Sequence, residues 1–290
     1  MQFQPPSYWL AWRCSIPLAL QELLSSIGQI YFQSSPIFGA ALLLCLYLSD
    51  PALALGCALG ACAASATAWI LAFPDEDRRQ GLYSYNGALS GAGLAALYQF
   101  SSALLAWIVL AGVLTALLSR AVQRTGVPVL TSLFVLVMWL TAAAAPQIGL
   151  QALAMQPVAP LQATLTHLLE PVANISFVRG GALGALVCIV LASRNWRQGA
   201  WLSLGAVLGF LAPAAAAGAG VNCALTLLGL CVHRRSWPWR LGGGAVCVVF
   251  CMAFSAAGIA AFTAPFVLTT WLVLWWSGPP HTRSNLPPVP

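Results

Sequence analysis

Three pairs of neutral polar side chains stand at matched places in the two halves of the chain: Gln29 with Asn174, Asn86 with Asn222, and Thr131 with Thr263. Each pair sits in similar words. "GQIYF" at 28–32 answers "ANISF" at 173–177, and "YNGALSG" at 85–91 answers "VNCALTL" at 221–227. "LTSLFVLVMWL" at 130–140 answers "FTAPFVLTTWL" at 262–272, with six of eleven positions identical. Amides and hydroxyls donate and accept hydrogen bonds without carrying charge. Flat rings accompany them at Phe32 and Phe177, with Tyr31, Tyr83 and Tyr85 in the first half only. Such a set suits a small, planar, uncharged, strongly dipolar solute, whose N–H groups need acceptors once water is stripped away. A lone Thr in an apolar helix most often bonds its own backbone. A Thr repeated before the same apolar phrase favours a pathway reading, with Thr131 and Thr263 at its centre.

Charge is absent from that set. Carriers coupled to protons or sodium usually keep Asp, Glu or His within the membrane. Here Asp50, Asp75, Glu76 and Asp77 fall in loops, Glu22 and Glu170 at the starts of amphipathic segments, and His167 close to Glu170. Interfacial placement is the expectation for Glu22, Glu170 and His167, ahead of a proton relay, so the chemistry points to passive permeation rather than pumping. An enzyme fares worst, because no nucleophile–base set, metal cluster or charged pair stands within an apolar span. The nine cysteines lie mostly in words such as "LLLCLYL" and "GCALGACAA", without CxxC spacing. They read as small buried hydrophobes, and neither a metal site, a disulfide framework nor a cofactor is expected.

The elements that must position these residues are membrane helices. The chain is 60% hydrophobic and 6% charged, with a mean hydropathy of +0.85, whereas a soluble domain carries about a quarter charged residues. Long Ala-, Leu- and Gly-rich runs without alternation favour an all-α polytopic bundle over an outer-membrane barrel. They predict ten crossing helices near 36–49, 51–73, 83–98, 102–119, 128–145, 178–193, 199–217, 221–232, 240–258 and 261–276. Several fall short of the roughly 20 residues that a full crossing needs. "PLALQELLSSIGQIYFQSSP" and "LTHLLEPVANISFVRGG" are amphipathic and broken by Pro or Gly, and read as tilted or re-entrant pieces. Glycines four residues apart, at 56/60, 87/91, 180/184 and 205/209, allow close helix packing.

All twelve basic residues are arginines, spread in ones and twos between the spans, and the net charge is +6. They read as topology signals, and no nucleic-acid partner is expected. With the N-terminus inside, Arg13, Arg78, Arg79, Arg120, Arg124, Arg194, Arg197, Arg234, Arg235, Arg240 and Arg283 all fall inside, and Arg179 alone falls outside. The N-terminus lacks the charged-then-apolar order of a cleaved signal peptide. A cell inner membrane with both termini cytoplasmic is the expected location.

The matched words recur at offsets of 145, 149 (for "LGCALG" at 55–60 and "LGAVLG" at 204–209), 136 and 132, in one order along both halves. The chain is therefore read as an internal duplication: an N-terminal segment 1–14, a first repeat 15–145, a connection 146–166, a second repeat 167–276 and a tail 277–290. Five crossings per half make the repeats inverted, with equivalent residues around an in-plane pseudo-twofold axis near the bilayer midplane.

"SIGQIYFQSSPIFGAALLL", "GLYSYNGALSGAGLA" and "VPVLTSLFVLVMWL", in that order, resemble the urea transporter family over roughly residues 20–276. Its members carry patterns like G-x-G-Q-V-x-F, G-L-x-G-[FY]-N-x-x-L and L-T-x-P-F-V in each half. The resemblance implies two inverted five-helix repeats with re-entrant helices, one pore per subunit, and a homotrimer that conducts urea through a narrow filter. It implies that Gln29, Phe32 and Tyr85 form one end of that filter, and Asn174, Phe177 and Val221 the other. Thr131 and Thr263 then lie between, flanked by Ile30, Ile175, Leu89 and Leu225. The chain departs from the pattern at Asn174, shorter than the usual Gln or Glu, and at Val221, where a ring is usual. Ser84 and Leu133 replace an expected Gly and Pro. A slot widened in this way would also admit water, ammonia or larger amides. The alternative is a transporter of another small polar solute, such as a short-chain amide, with Glu22 or Glu170 coupling protons.

Overall fold

The computed structural model describes residues 17–153 and 168–278, whose regular elements are helices. The expected N-terminal segment, most of the connection 146–166, His167 and most of the tail lie outside the described residues. The chain forms two compact units. The first, residues 1–191, holds α1 (Leu18–Gly28), a 3-10 turn (Gln29–Tyr31), α2 (Pro36–Ser49), α3 (Pro51–Ile70), α4 (Asp75–Arg79), α5 (Tyr85–Leu97), α6 (Ser102–Gln123), α7 (Ser132–Ala144), α8 (Glu170–Asn174) and most of α9 (Gly181–Arg194). The second, residues 192–290, holds α10 (Trp196–Phe210), α11 (Ala219–Val232), α12 (Trp237–Ala256) and α13 (Ala264–Trp276). The first part of the second repeat thus packs with the first repeat.

A helix occupies each of the ten ranges read as spans. Three of them, α3, α6 and α12, are long and apolar enough to cross a membrane. The α1 segment with its 3-10 turn and α2, bent by 73°, together pass the same test as a broken span. By contrast α7, α9, α11 and α13 have 13, 14, 14 and 13 residues. At about 1.5 Å per residue they reach roughly 20 Å, short of a hydrocarbon core of about 30 Å. Two boundaries differ from the sequence reading for local reasons. The helix expected from 128 starts at Ser132, because Leu130 adopts a left-handed conformation (φ 48°). The helix expected to run to 217 stops at Phe210, with Pro213 and left-handed Gly218 (φ 74°) in the turn that follows.

Local signals set most of the helix starts. Ser35, Asp50, Ser101 and Asn195 each accept a hydrogen bond from a backbone N–H in the first turn of α2, α3, α6 and α10, and Pro36 and Pro51 occupy first-turn positions where no donor is needed. Burial then sorts the helices. Every residue of α5 from Tyr85 to Ala95 is buried, so protein surrounds this short helix on all sides, as such a piece requires. In α12 only Gly243, Gly244, Cys247 and Cys251 are buried, and the rest is free to meet lipid.

Glycine sets how closely the pieces approach. A Cβ on Gly39 would overlap the Leu24 carbonyl oxygen and lie 3.2 Å from the Gly28 nitrogen. One on Gly184 would overlap the Leu169 carbonyl oxygen and lie 3.3 Å from the Ala173 nitrogen. All three residues of the second contact stand 145 positions after those of the first, so both halves seat the re-entrant piece on the next helix through the same atoms. The "LGCALG"/"LGAVLG" match at offset 149 does not hold in this register. Gly60 abuts the Gly87 carbonyl and Gly205 the Cys223 carbonyl, so Gly60 and Gly205 are the counterparts, again 145 apart. The sequence match had slipped by one helical turn, because glycines four residues apart look alike from either register. From Gly60 to Gly87 is 27 residues and from Gly205 to Cys223 is 18; the nine extra residues accommodate α4.

Gly39→Ala and Gly184→Ala should therefore each destabilise the fold, by about 1–3 kcal/mol or more as overpacking does. Gly242→Ala, with nothing within 4 Å of its Cβ, should be neutral. Thermal midpoints from fluorescence-detected size exclusion would show two large drops beside an unchanged control.

Candidate functional site

Two kinds of strained turn carry the expected site residues, and each kind occurs twice. In the first kind, α1 runs into the 3-10 turn and the chain reverses at Phe32, left-handed at φ 58°. Its counterpart is Phe177, at φ 65°. The turns are closed by the same backbone bonds: Phe32 N–H to Gln29 at 2.9 Å and Gln33 N–H to Gly28 at 3.1 Å, against Phe177 N–H to Asn174 at 3.1 Å and Val178 N–H to Ala173 at 3.2 Å. A non-glycine residue held in this region costs on the order of 1–3 kcal/mol and persists only where its surroundings over-determine it. Here one side chain supplies much of that hold. The buried Tyr31 hydroxyl donates to the Val172 carbonyl at 2.6 Å and lies 3.2 Å from Ser176 Oγ.

The second kind lies just before α7 and α13. Leu130 (φ 48°) and Phe262 (φ 45°) are left-handed and deliver Thr131 and Thr263 to the N-cap positions. An N-cap Thr would ordinarily accept from an N–H in the first turn, yet neither threonine side chain caps its helix. Asparagines from the neighbouring helices do so instead. Asn86 Oδ1 accepts from Phe134 N–H at 3.1 Å while its Nδ2 donates to the Leu130 carbonyl at 3.0 Å. Asn222 Oδ1 accepts from Phe266 N–H at 3.0 Å while its Nδ2 donates to the Phe262 carbonyl at 2.9 Å and to the Gly218 carbonyl at 3.1 Å. Both asparagines are fully buried. In the first unit the Tyr85 hydroxyl adds a second donor to the Leu130 carbonyl, and Val221 at the matched position has no hydroxyl to offer.

The first unit brings several expected residues together. The Phe177 ring packs edge-on against Phe134, centroids 6.0 Å apart, over Gly93, where a Cβ would crowd both rings. Phe134 is the third residue of α7, so Phe177 lies close to the turn that carries Thr131. Ile30, Leu89, Thr131 and Ile175 are buried, Gln29, Phe32 and Phe177 are half-buried, and Asn174 is exposed. Gln29 donates to Ser34 Oγ at 3.0 Å. In the second unit Leu225 and Thr263 are buried and Val221 is half-buried.

Four sequence readings change. Asn86 and Asn222 use both ends of their amides on backbone groups and serve as clamps, not as pathway ligands. Tyr83 stacks on Phe73, donates to Asp77 at 3.0 Å and accepts from Arg120 at 3.3 Å, which assigns it to the anchor of the 80–84 loop. Tyr85 directs its hydroxyl into the Leu130 clamp and presents only its ring. Glu22 is buried within the protein: it is 3% exposed and accepts from the Trp69 indole at 2.6 Å. Phe134 and Phe266 were legible only as members of a repeated phrase, since their role lies in a backbone N–H that any residue type carries.

Asn86→Leu and Asn222→Leu keep side-chain volume but strand buried backbone groups: the Phe134 N–H in the first, where Tyr85 still bonds the Leu130 carbonyl, and the Phe266 N–H and Phe262 carbonyl in the second. An unmade buried bond costs about 1–3 kcal/mol, so each variant should lose several degrees of thermal midpoint in detergent. Tyr85→Phe, which leaves Asn86 on the same carbonyl, should lose less.

The family model described as "Urea transporter" matches residues 20–278. Helices long and apolar enough to cross a membrane agree with that match, and the chain belongs to the urea transporter family.

Proposed function

We propose that the protein conducts urea passively through a narrow filter, and that the twice-built turns are its core. The observation that carries this reading is the asparagine clamp. It satisfies a first-turn N–H of α7 and of α13 from a neighbouring helix and holds Thr131 and Thr263 at matched N-cap positions. Urea needs acceptors for its N–H groups and a donor for its carbonyl, and hydroxyls supply both without binding an ion. In the first unit the filter residues are Gln29, Ile30, Phe32, Tyr85, Leu89, Thr131, Asn174, Ile175 and Phe177; in the second they are Val221, Leu225 and Thr263.

The inverted-repeat reading gains support from contacts between residues and their own counterparts. Tyr31 and Ser176, which touch, are 145 positions apart. One small apolar cavity is lined by Ala41 and Leu186, Leu42 and Val187, and Cys45 and Val190, each pair again 145 apart. Self-paired contacts of this kind arise where a two-fold axis passes. A ten-crossing subunit with cytoplasmic termini, set as a homotrimer in a cell inner membrane, completes the proposal on the strength of the family.

Stopped-flow light scattering on proteoliposomes tests it. Urea efflux should be rapid and indifferent to an imposed pH gradient. Thr131→Val and Thr263→Val should each cut flux roughly tenfold or more, the kinetic equivalent of one unmade buried hydrogen bond. The competing reading is proton coupling, favoured by the burial of Glu22, whose Oε1 has no hydrogen-bond partner. It requires flux that follows the gradient and collapses in Glu22→Gln or Glu170→Gln.

A further inference from the structure

The sequence scatters its arginines in ones and twos, but the fold of the second unit gathers four of them at one end. Arg197 stands in the first turn of α10, Arg240 in the first turn of α12, and Arg234 and Arg235 in the turn that joins α11 to α12. The α12 helix packs against both α10 and α11, and Arg240 in its first turn reaches the Trp201 ring of α10, which makes the three helix ends neighbours. Tryptophans orient two of the guanidinium groups: Arg240 lies 4.7 Å over the Trp201 ring and Arg197 5.6 Å over that of Trp196.

Among the described residues these cations form no salt bridge. Arg235 is 7% exposed, and its Nε, like that of Arg240, is buried without a hydrogen-bond partner. Buried charges are normally paired, since desolvating one ion alone costs several kcal/mol. Residues 192–290 contain no Asp or Glu, so the unit has no acidic side chain to offer. The first unit is built differently. Arg78 bonds Asp75 at 2.7 Å, and Arg120 donates to Tyr83, which itself bonds Asp77. Nor does His233 relieve the excess: burial, then Arg235, hold its pKa below the usual imidazole range and keep it neutral.

A partner for this end must therefore be an external anion, and planar guanidinium forks match phosphate oxygens. Trp196 and Trp237, both strongly exposed, stand at the same end, and indole rings favour the headgroup level of a bilayer. We propose that this end of the second unit binds a phosphodiester anion supplied by an anionic phospholipid headgroup, with Arg235 and Arg240 holding it and Arg197 and Arg234 at its rim. The site does not depend on the permeation reading, because its test measures lipid and not solute.

Native mass spectrometry and thermal midpoints of the purified protein would be compared with phosphatidylglycerol, phosphatidylcholine and inorganic phosphate. Phosphatidylglycerol should stay bound and raise the midpoint by several degrees, while phosphatidylcholine should do neither. Arg235→Gln and Arg240→Gln should retain phosphatidylglycerol at least tenfold less. If Arg235→Gln does not fold, Arg240→Lys (charge kept, fork lost) and the exposed Arg197→Gln carry the test and should still weaken retention. Equal binding of phosphatidylcholine, or unchanged retention in the variants that fold, overturns the site. Stabilisation by millimolar phosphate that matches and displaces phosphatidylglycerol overturns the lipid source and assigns the site to a soluble phosphate.

Discussion

A helix that stops inside a bilayer leaves backbone N–H and C=O groups with no water to take them. The structure meets this constraint with one device used twice, an asparagine amide that bonds both sides of a break. Asn86 and Asn222 each hold the carbonyl before an N-cap threonine and the N–H three residues after it. The left-handed Leu130 and Phe262 depend on that hold. Without it the turn would relax toward ordinary backbone. A carboxylate could not serve, since it accepts from the N–H but cannot donate to the carbonyl.

Close packing then fixes where each break stands. The segments before the Gln29–Phe32 and Asn174–Phe177 turns rest on α2 and α9 through Gly39 and Gly184, where backbone meets backbone. Glycine at these positions removes the Cβ that would hold the chains apart, and so sets how closely each turn sits to the helix that follows. Tyr31 adds a long-range strut, reaching the Val172 carbonyl and so binding one turn to the other. Strain at Phe32 and Phe177 is thus opposed by contacts on several sides, as a persistent left-handed residue needs.

Much of this was legible in the residues and some was not. The spans, the breaks at Pro and Gly, and the repeated Thr phrase follow from hydropathy and self-similarity. The role of Asn86 did not, because an amide beside a ring looks the same as a ligand or as a clamp until the carbonyl it meets is known. Register failed for a similar reason: "LGCALG" fits "LGAVLG" by letters, but the carbonyl that each glycine meets pairs Gly60 with Gly205. Glu22 also needed the structure: its place near the start of a polar segment gives no sign of the Trp69 indole that covers it.

The two halves also diverge where symmetry would have cost nothing to keep. The Leu130 carbonyl receives Asn86 and Tyr85, while the matched position on the other side of the duplication is Val221, which has no donor. Acidic residues show the same divergence: all six lie at or before Glu170, and the nine extra residues between Gly60 and Gly87 accommodate the acidic α4. The clamp and the packing glycines, by contrast, are retained in both copies. Duplicated backbone geometry is therefore the conserved constraint within this chain, and side-chain chemistry at its edges is free to drift. That backbone keeps Thr131 and Thr263 at their N-cap positions whichever ring or aliphatic side chain stands nearby, and the departures at Asn174 and Val221 leave the turns formed in both copies.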